Sequence, residues 1–164
     1  ILGSTTLLIA LILAIYSVVG SIVGSNRKVI ALGESARYAI YLIPLILAVS
    51  VCTLVGAFLV HDFSLSYVAG HSNSLMDPKL VWVAFYAGNE GSLLFIAFVL
   101  SVVGSVAVWK ASKNIRMREI IPYVSAIIML VLVFFLAVLH FLANPFASTP
   151  HLIVSPDRLT YQDH

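Results

Sequence analysis

The chain has 164 residues, of which 61% are hydrophobic and only 10% are charged, and its formal net charge is +2. A water-soluble domain is about 45–50% apolar and about 25% charged, so this chain has too few charges to cover a surface in water. The low charge density excludes an intrinsically disordered chain, and the single cysteine, Cys52, excludes a disulfide scaffold. So small a net charge does not indicate nucleic-acid binding. We therefore expect an integral membrane protein or a part of one.

Four apolar runs are each long enough to cross a hydrocarbon core of about 30 Å, which takes about 20 helical residues. Backbone groups find no water in a bilayer, so each run should be helical, and none alternates in polarity as a barrel strand does. The predicted helices cover approximately residues 7–23, 39–60, 91–109 and 120–142. The first lacks preceding basic residues and a clear cleavage site, so we interpret it as a retained helix rather than a signal peptide. The predicted fold is all-α: a polytopic membrane protein with a single membrane region, whose four transmembrane helices form part of a larger helical bundle.

Positive charge is concentrated in two of the connections between these helices. Seven of the nine basic residues fall within residues 25–38 and 110–119. They are Arg27, Lys28, Arg37, Lys110, Lys113, Arg116 and Arg118. The positive-inside rule makes both stretches cytoplasmic. We therefore predict that both termini, the outer loop 61–90 and the outer tail 143–164 lie on the outer side of the membrane.

Proline and small residues modify the predicted helices. Pro44 lies inside the second helix, where it removes one backbone hydrogen bond and is expected to kink the helix. The pairs Gly20 with Gly24 and Ser101 with Ser105 are spaced to allow the close approach of another helix. Such a pattern does not identify which helix approaches.

The outer loop 61–90 combines aromatic with polar side chains. Because Trp and Tyr favour the membrane–water interface, an interfacial segment is predicted over residues 78–86. Two interpretations of the aromatic residues stay open: an aromatic belt, or a platform for a flat, apolar ligand. The candidate platform or docking residues are Asp62, Tyr67, Asn73 and Trp82.

A carboxylate flanked by glycines stands where the outer loop enters the third helix. The segment is Gly88-Asn89-Glu90-Gly91-Ser92, and it is the candidate functional segment of the outer face. In one interpretation Asn89 caps the helix and Glu90 complements its positive N-terminus. In the other, Glu90 makes a polar contact with a ligand or a neighbouring helix, which the glycines allow to approach closely. The residues by themselves favour neither interpretation.

The five histidines raise the question of a haem or metal site. Four of them (His61, His71, His151 and His164) lie in outer segments, and His140 lies near the outer end of the fourth helix. No two have the i, i+3 or i, i+4 spacing that places two ligands on one helix face. We therefore predict no metal site, and we expect Cys52, which lacks a second cysteine, to be a core residue rather than a redox centre.

Several motifs occur in the order found in one protein family. They are Asp62-Phe63-Ser64, Tyr67-Val68-Ala69, Ser72-Asn73, Gly88-Asn89-Glu90-Gly91-Ser92-Leu93-Leu94 and Asn144-Pro145-Phe146. Over essentially the whole chain, the sequence resembles the CcmF-type haem lyases of bacterial cytochrome c maturation and the closely similar NrfE proteins of nitrite-reductase assembly. The resemblance identifies the chain as the N-terminal four-helix part of such a protein, either a piece of a longer chain or a separately encoded subunit.

The resemblance implies that the full protein handles haem b and attaches it to the thiols of apocytochrome c at the outer face. Family members bind haem on a tryptophan-rich motif with histidine ligands from outer loops. That motif is absent here, because Trp82 and Trp109 are not clustered, and His164 lacks the H-P-P context of the family's ligand. Many relatives have His at the position of Asn89, which is therefore not expected to be an essential ligand. We expect the haem ligands to lie outside this chain.

These features predict a membrane scaffold that is not catalytic by itself and whose catalytic residues are unknown. The implied partners are the remaining helices of the same protein or a split partner chain, other cytochrome c maturation subunits, a haem chaperone, apocytochrome c and the lipid bilayer, with no nucleic acid. The expected location is the bacterial inner membrane, or an organellar inner membrane. The alternative is a passive transmembrane subunit of a respiratory or transport complex, which the composition equally allows.

Overall fold

The computed structural model describes residues 2–59, 89–117 and 119–146. They contain four long helices: α1 (Leu2–Asn26), α2 (Ile30–Leu59), α3 (Asn89–Ser112) and α4 (Ile121–Phe141). A short 3-10 turn, Ile115–Met117, lies between α3 and α4. Each of the four helices is long and apolar enough to cross a membrane. The prediction of an all-α, polytopic membrane fold is confirmed.

Three of the helices extend beyond the apolar runs from which they were predicted. The largest difference is in α2, which begins at Ile30 rather than near residue 39 and includes Glu34 and Arg37 in its first turns. α1 and α3 are longer than predicted by a few residues, whereas α4 agrees within one residue at each end. Long charged side chains project from a helix into the interfacial water, so the edge of an apolar run is not the end of a helix. The first basic connection is therefore a short turn rather than a loop.

The helices pack in ring order, with α1 against α2 and α4, and α3 against the same two helices. Two hydrogen bonds show which helix ends lie together. Tyr123 Oη at the start of α4 donates to Asn26 Oδ1 at the end of α1, over 3.2 Å. Asn144 Nδ2, just after α4, donates to Ser4 Oγ near the start of α1, over 3.3 Å. Both basic connections therefore share one end of the bundle, here called the basic end, and α3 begins at the opposite end, here called the Asn89 end.

The core consists of apolar side chains on the facing stripes of the four helices. The largest fully buried ones are Leu7, Ile40, Ile43, Leu47, Leu54, Leu94, Met129, Leu132, Leu136 and Leu139. The helix faces that point away from this core are also apolar, with exposed side chains such as Leu45 and Phe134. Cys52, expected in the core, is instead exposed on the surface of the bundle. A helix that is apolar all round carries no sequence signal for which face is buried, and this explains the wrong prediction.

Gly20 and Gly24 allow α1 to pack closely on α2. A Cβ atom at Gly20 would lie 2.9 Å from the Cβ of Ala36, and one at Gly24 would lie 2.8 Å from the backbone nitrogen of Gly33. Both distances are shorter than real Cβ contacts, so a larger residue at either position would push the helices apart. Gly20 and Gly24 therefore form the contact of α1 with α2. Their spacing alone did not identify which helix approaches.

α2 continues through Pro44. Because proline has no N–H, the carbonyl of Ile40, four residues earlier, loses its helical donor. The hydroxyl of Ser105 on α3 donates to this carbonyl oxygen over 2.9 Å. In a bilayer no water satisfies such a carbonyl, and a hydroxyl from a neighbouring helix allows proline to remain inside a transmembrane helix. Ser105 thus joins α3 to α2 at the one backbone group that Pro44 leaves unpaired.

Candidate functional face at the Asn89 end

The structure describes four of the five residues in the predicted functional segment of the outer face. Asn89, Glu90, Gly91 and Ser92 are described, whereas Gly88 lies outside the described residues. The candidate platform residues also lie outside them: Asp62, Tyr67, Asn73 and Trp82.

The first turn of α3 contains the described part of this segment. α3 begins at Asn89, and Glu90 is the acidic residue of its first turn. The hydroxyl of Ser92 donates to the backbone carbonyl of Asn89 over 3.0 Å, within the same turn. Asn89 is exposed, Glu90 is half-buried and Gly91 is buried. In this turn Gly91 therefore faces the bundle, and the side chain of Asn89 is exposed.

Glu90 lies where a negative charge stabilises a helix. Its charge is at the positive end of the α3 dipole, an interaction of about 0.3–1 kcal/mol for surface groups. Within the described part of the chain, its carboxylate forms neither an ion pair nor a hydrogen bond. The carboxylate thus complements the helix dipole and is available to a partner outside the described residues, so the two interpretations of Glu90 are compatible.

The Asn144-Pro145-Phe146 motif attaches the chain after α4 to the start of α1. The backbone N–H of Phe146 donates to Asn144 Oδ1 over 2.9 Å, and the amide of Asn144 donates to Ser4. The Phe146 ring is 7% exposed and covers Gly3, where a Cβ atom would overlap the ring. Sequence reasoning assigned no role to this motif. Its role in the described residues is structural, because it closes the contact between α1 and α4 at the Asn89 end.

His140, on α4, is the histidine that the structure describes. Its Nδ1 atom is buried and has no hydrogen-bond partner among the described residues. Its ring meets the edge of Phe141, with the ring centroids 4.9 Å apart. Within residues 2–59, 89–117 and 119–146, no group of three or more His, Cys, Asp or Glu side chains could hold a metal ion. His140 is the one histidine within these ranges, so the ranges by themselves do not supply two histidine ligands for a haem.

Comparison with known proteins shows which proteins this chain is similar to. No protein-family model matches the chain. The cytochrome c-type biogenesis protein CcmF of Escherichia coli K12 is 35% identical over 142 residues, which are 86% of this chain and 21% of the relative. The NrfE protein of Haemophilus influenzae is 34% identical over 115 residues, which are 70% of this chain and 18% of the relative. The solved structure of the cytochrome c haem lyase CcmF matches with a TM-score of 0.78 and 25% identity, and the match covers 92% of this chain and 25% of that protein.

The chain belongs to the CcmF/NrfE family of cytochrome c-type biogenesis proteins. The family resemblance predicted from the motifs is confirmed, and the chain is a multi-pass membrane protein of this family. It spans about a fifth of the length of the curated relatives that it matches. The similarity therefore concerns a four-helix membrane region, and only part of each relative.

Proposed function

We propose that the chain forms the N-terminal, four-helix membrane scaffold of a haem lyase, which handles haem and attaches it covalently to apocytochrome c at the outer face. The observation that carries this proposal is the structural match to the cytochrome c haem lyase CcmF over 92% of the chain. The partners are the remaining helices of the lyase, other maturation subunits, a haem chaperone and apocytochrome c. The haem ligands belong to those parts of the assembly.

The Asn89 end faces the outer side of the bacterial inner membrane in this proposal. Seven of the nine basic residues lie in the two connections predicted to be cytoplasmic, and these connections share the basic end of the bundle. The positive-inside rule assigns that end to the cytoplasm. The outer loop 61–90 and the tail 143–164 then leave the bundle on the side where apocytochrome c is matured.

The scaffold supplies a fixed base for the outer loop. α3, which follows that loop, is held to α2 by the bond from Ser105 to the Ile40 carbonyl. It also packs against α4 at Gly104, where a Cβ atom would lie 2.7 Å from Ile128 Cγ2. These contacts fix the position of α3 along the bundle, and with it the position of Glu90 at the outer end of that helix. Glu90 then supports the outer functional face by a polar contact to a neighbouring segment.

Substitution of Glu90 in the intact protein tests this role. In a strain that depends on the protein, Glu90→Ala should lower the yield of covalently haem-stained cytochrome c about tenfold, as expected for a lost hydrogen bond to a charged group of about 1.5 kcal/mol. Glu90→Gln should retain part of the yield, because it keeps the shape and some hydrogen bonding. Ser112→Ala is the matched control at the other end of α3, since its hydroxyl bonds only to the Trp109 carbonyl among the described residues and should leave the yield unchanged.

Two results would contradict the proposal at different levels. Normal maturation with both Glu90 variants, at normal accumulation in the membrane, would restrict Glu90 to stabilising the α3 dipole. Normal maturation in a strain that lacks the chain altogether would favour the passive subunit of another membrane complex.

A further inference from the structure

A cavity of about 310 Å³ lies at the basic end, between α1, α2 and α4. Its wall includes three charged side chains, Lys28, Glu34 and Arg37, and the buried serines Ser21 and Ser125. Positive charge at this end is sufficient to orient the protein in the membrane. Orientation does not require the charges to surround a cavity, nor does it require an acid among them, so this arrangement needs a separate explanation.

The two serines present unpaired hydroxyl groups to the cavity. Ser21 is 5% exposed and Ser125 is 2% exposed, and neither hydroxyl forms a hydrogen bond within the described part of the chain. Two other buried serines do bond, since Ser17 donates to the Ala36 carbonyl and Ser105 to the Ile40 carbonyl. Among the described residues the buried side-chain polar atom without a partner is His140 Nδ1, so the two serine hydroxyls are open to the cavity and can donate to a ligand there.

The three charges are also available to a ligand. Glu34 and Arg37 are three residues apart on α2, and Lys28 lies in the turn before it. No ion pair within 4.0 Å joins any of them to another described residue. The cavity therefore offers two cationic groups and one carboxylate, all at the boundary between the membrane and the water.

The backbone of Lys28 is unusual for its residue type. Lys28 has φ 54°, and it occupies the left-handed position that follows a helix and is commonly filled by glycine. The bonds from Val29 N to Gly24 O at 3.0 Å and from Lys28 N to Ser25 O at 3.3 Å complete this helix-ending motif. Glycine would fit the backbone with less strain. Lys28 therefore places a cationic residue in the cavity lining at a position where glycine would be less strained.

We propose that this cavity binds the headgroup of a phospholipid with an amino group, phosphatidylethanolamine, from the leaflet at the basic end. Lys28 and Arg37 pair with the phosphate, the serine hydroxyls donate to its oxygens, and Glu34 accepts from the ammonium group. Basic cavities between transmembrane helices are known to receive phospholipid headgroups. Glu34 gives the choice of headgroup, because it repels a purely anionic lipid such as phosphatidylglycerol and attracts an ammonium.

Native mass spectrometry of the intact protein in detergent tests the proposal. The delipidated protein is titrated with palmitoyl-oleoyl phosphatidylethanolamine, and separately with the phosphatidylglycerol and phosphatidylcholine of the same chains. One phosphatidylethanolamine should bind with the highest affinity of the three. Lys28→Gly and Arg37→Gln should each weaken it about fivefold, the effect of removing one cation near an anionic group. Glu34→Gln should remove or reverse the preference over phosphatidylglycerol.

Lys28→Gly separates binding from folding. Because glycine suits the backbone of this turn, the variant should unfold at the same temperature as the unaltered protein or higher while it loses lipid. Lys110→Gln is the matched control, since Lys110 is a cation of the same end that does not line the cavity.

Three outcomes would overturn the proposal. The first is equal affinity for all three lipids. The second is that Lys110→Gln weakens phosphatidylethanolamine binding as much as Lys28→Gly does, which would show unspecific attraction to charge. The third is displacement of the lipid by excess inorganic phosphate without acyl chains, which would assign the cavity to a soluble phosphate compound. Failure of maturation in the Glu90 variants bears on none of these outcomes, so the two proposals fail independently.

Discussion

Removal of the Ser105 hydroxyl should destabilise the bundle mainly because Pro44 is present. In the unaltered protein, Ser105 Oγ lies 2.9 Å from the Ile40 carbonyl oxygen, which Pro44 deprives of its helical donor. Hydrogen bonds between transmembrane helices contribute about 0.6 kcal/mol on average and up to about 1.7 kcal/mol. A buried carbonyl that is left without a donor costs about 1–3 kcal/mol. We therefore expect Ser105→Ala to lower the free energy of unfolding by about 1.5 kcal/mol, near the upper part of the first range.

Pro44→Ala restores an N–H within reach of the Ile40 carbonyl. In that background Ser105→Ala should cost less than about 0.5 kcal/mol, because the carbonyl keeps a helical donor. The coupling free energy between the two substitutions should then be about 1 kcal/mol. Ser101→Ala is the matched control, because Ser101 is also buried on α3 and its hydroxyl bonds to the Phe98 carbonyl of its own helix, over 2.6 Å.

The measurement is unfolding of the four proteins of this cycle and of Ser101→Ala by increasing mole fraction of SDS in mixed micelles, followed by far-ultraviolet circular dichroism. A coupling free energy below about 0.3 kcal/mol, which is the usual limit of additivity, would refute the reasoning. Equal costs for Ser105→Ala and Ser101→Ala would also refute it, since they would show that the loss of any buried hydroxyl from α3 has the same effect.

Gly24→Ala should destabilise the bundle by about 1–3 kcal/mol through the contact of its Cβ with α2, whereas Gly56→Ala should not, because a Cβ there meets no atom within 4 Å. Asn144→Ala should cost about 1 kcal/mol and make the chain after α4 more susceptible to proteolysis, because it removes the bonds to Ser4 and to the Phe146 N–H. In a variant without the native cysteine, a cysteine at Ser72 should react with an impermeant thiol reagent added outside intact spheroplasts and one at Ser112 should not; the opposite pattern would invert the topology. Residues 1–164 purified in detergent should show no stoichiometric Soret band after incubation with haem, and a six-coordinate haem spectrum would contradict the expectation that the ligands lie outside the chain.

The sequence predicted the family of the described region better than its polar contacts. Five motifs in order indicated the CcmF/NrfE family, among them those from Gly88 to Leu94 and from Asn144 to Phe146, yet these two did not establish what their side chains contact. In the structure the second motif attaches the chain after α4 to Ser4 and Gly3 of α1. These residues are about 140 positions apart in the chain, and no local pattern relates them.

Hydropathy and charge by themselves determined that the chain has four membrane helices and that its basic residues fall into two connections. Both are additive properties of short segments, because a bilayer selects for apolar length and cations are counted loop by loop. Only the tertiary structure decided which faces of the helices meet. It showed that Gly24 packs on α2, that Ser105 pairs with the carbonyl freed by Pro44, and that Lys28 and Arg37 line one cavity. These helices are apolar on all sides, so the choice of face depends on the close packing of small residues and on paired polar groups, and both require the partner helix to be in place.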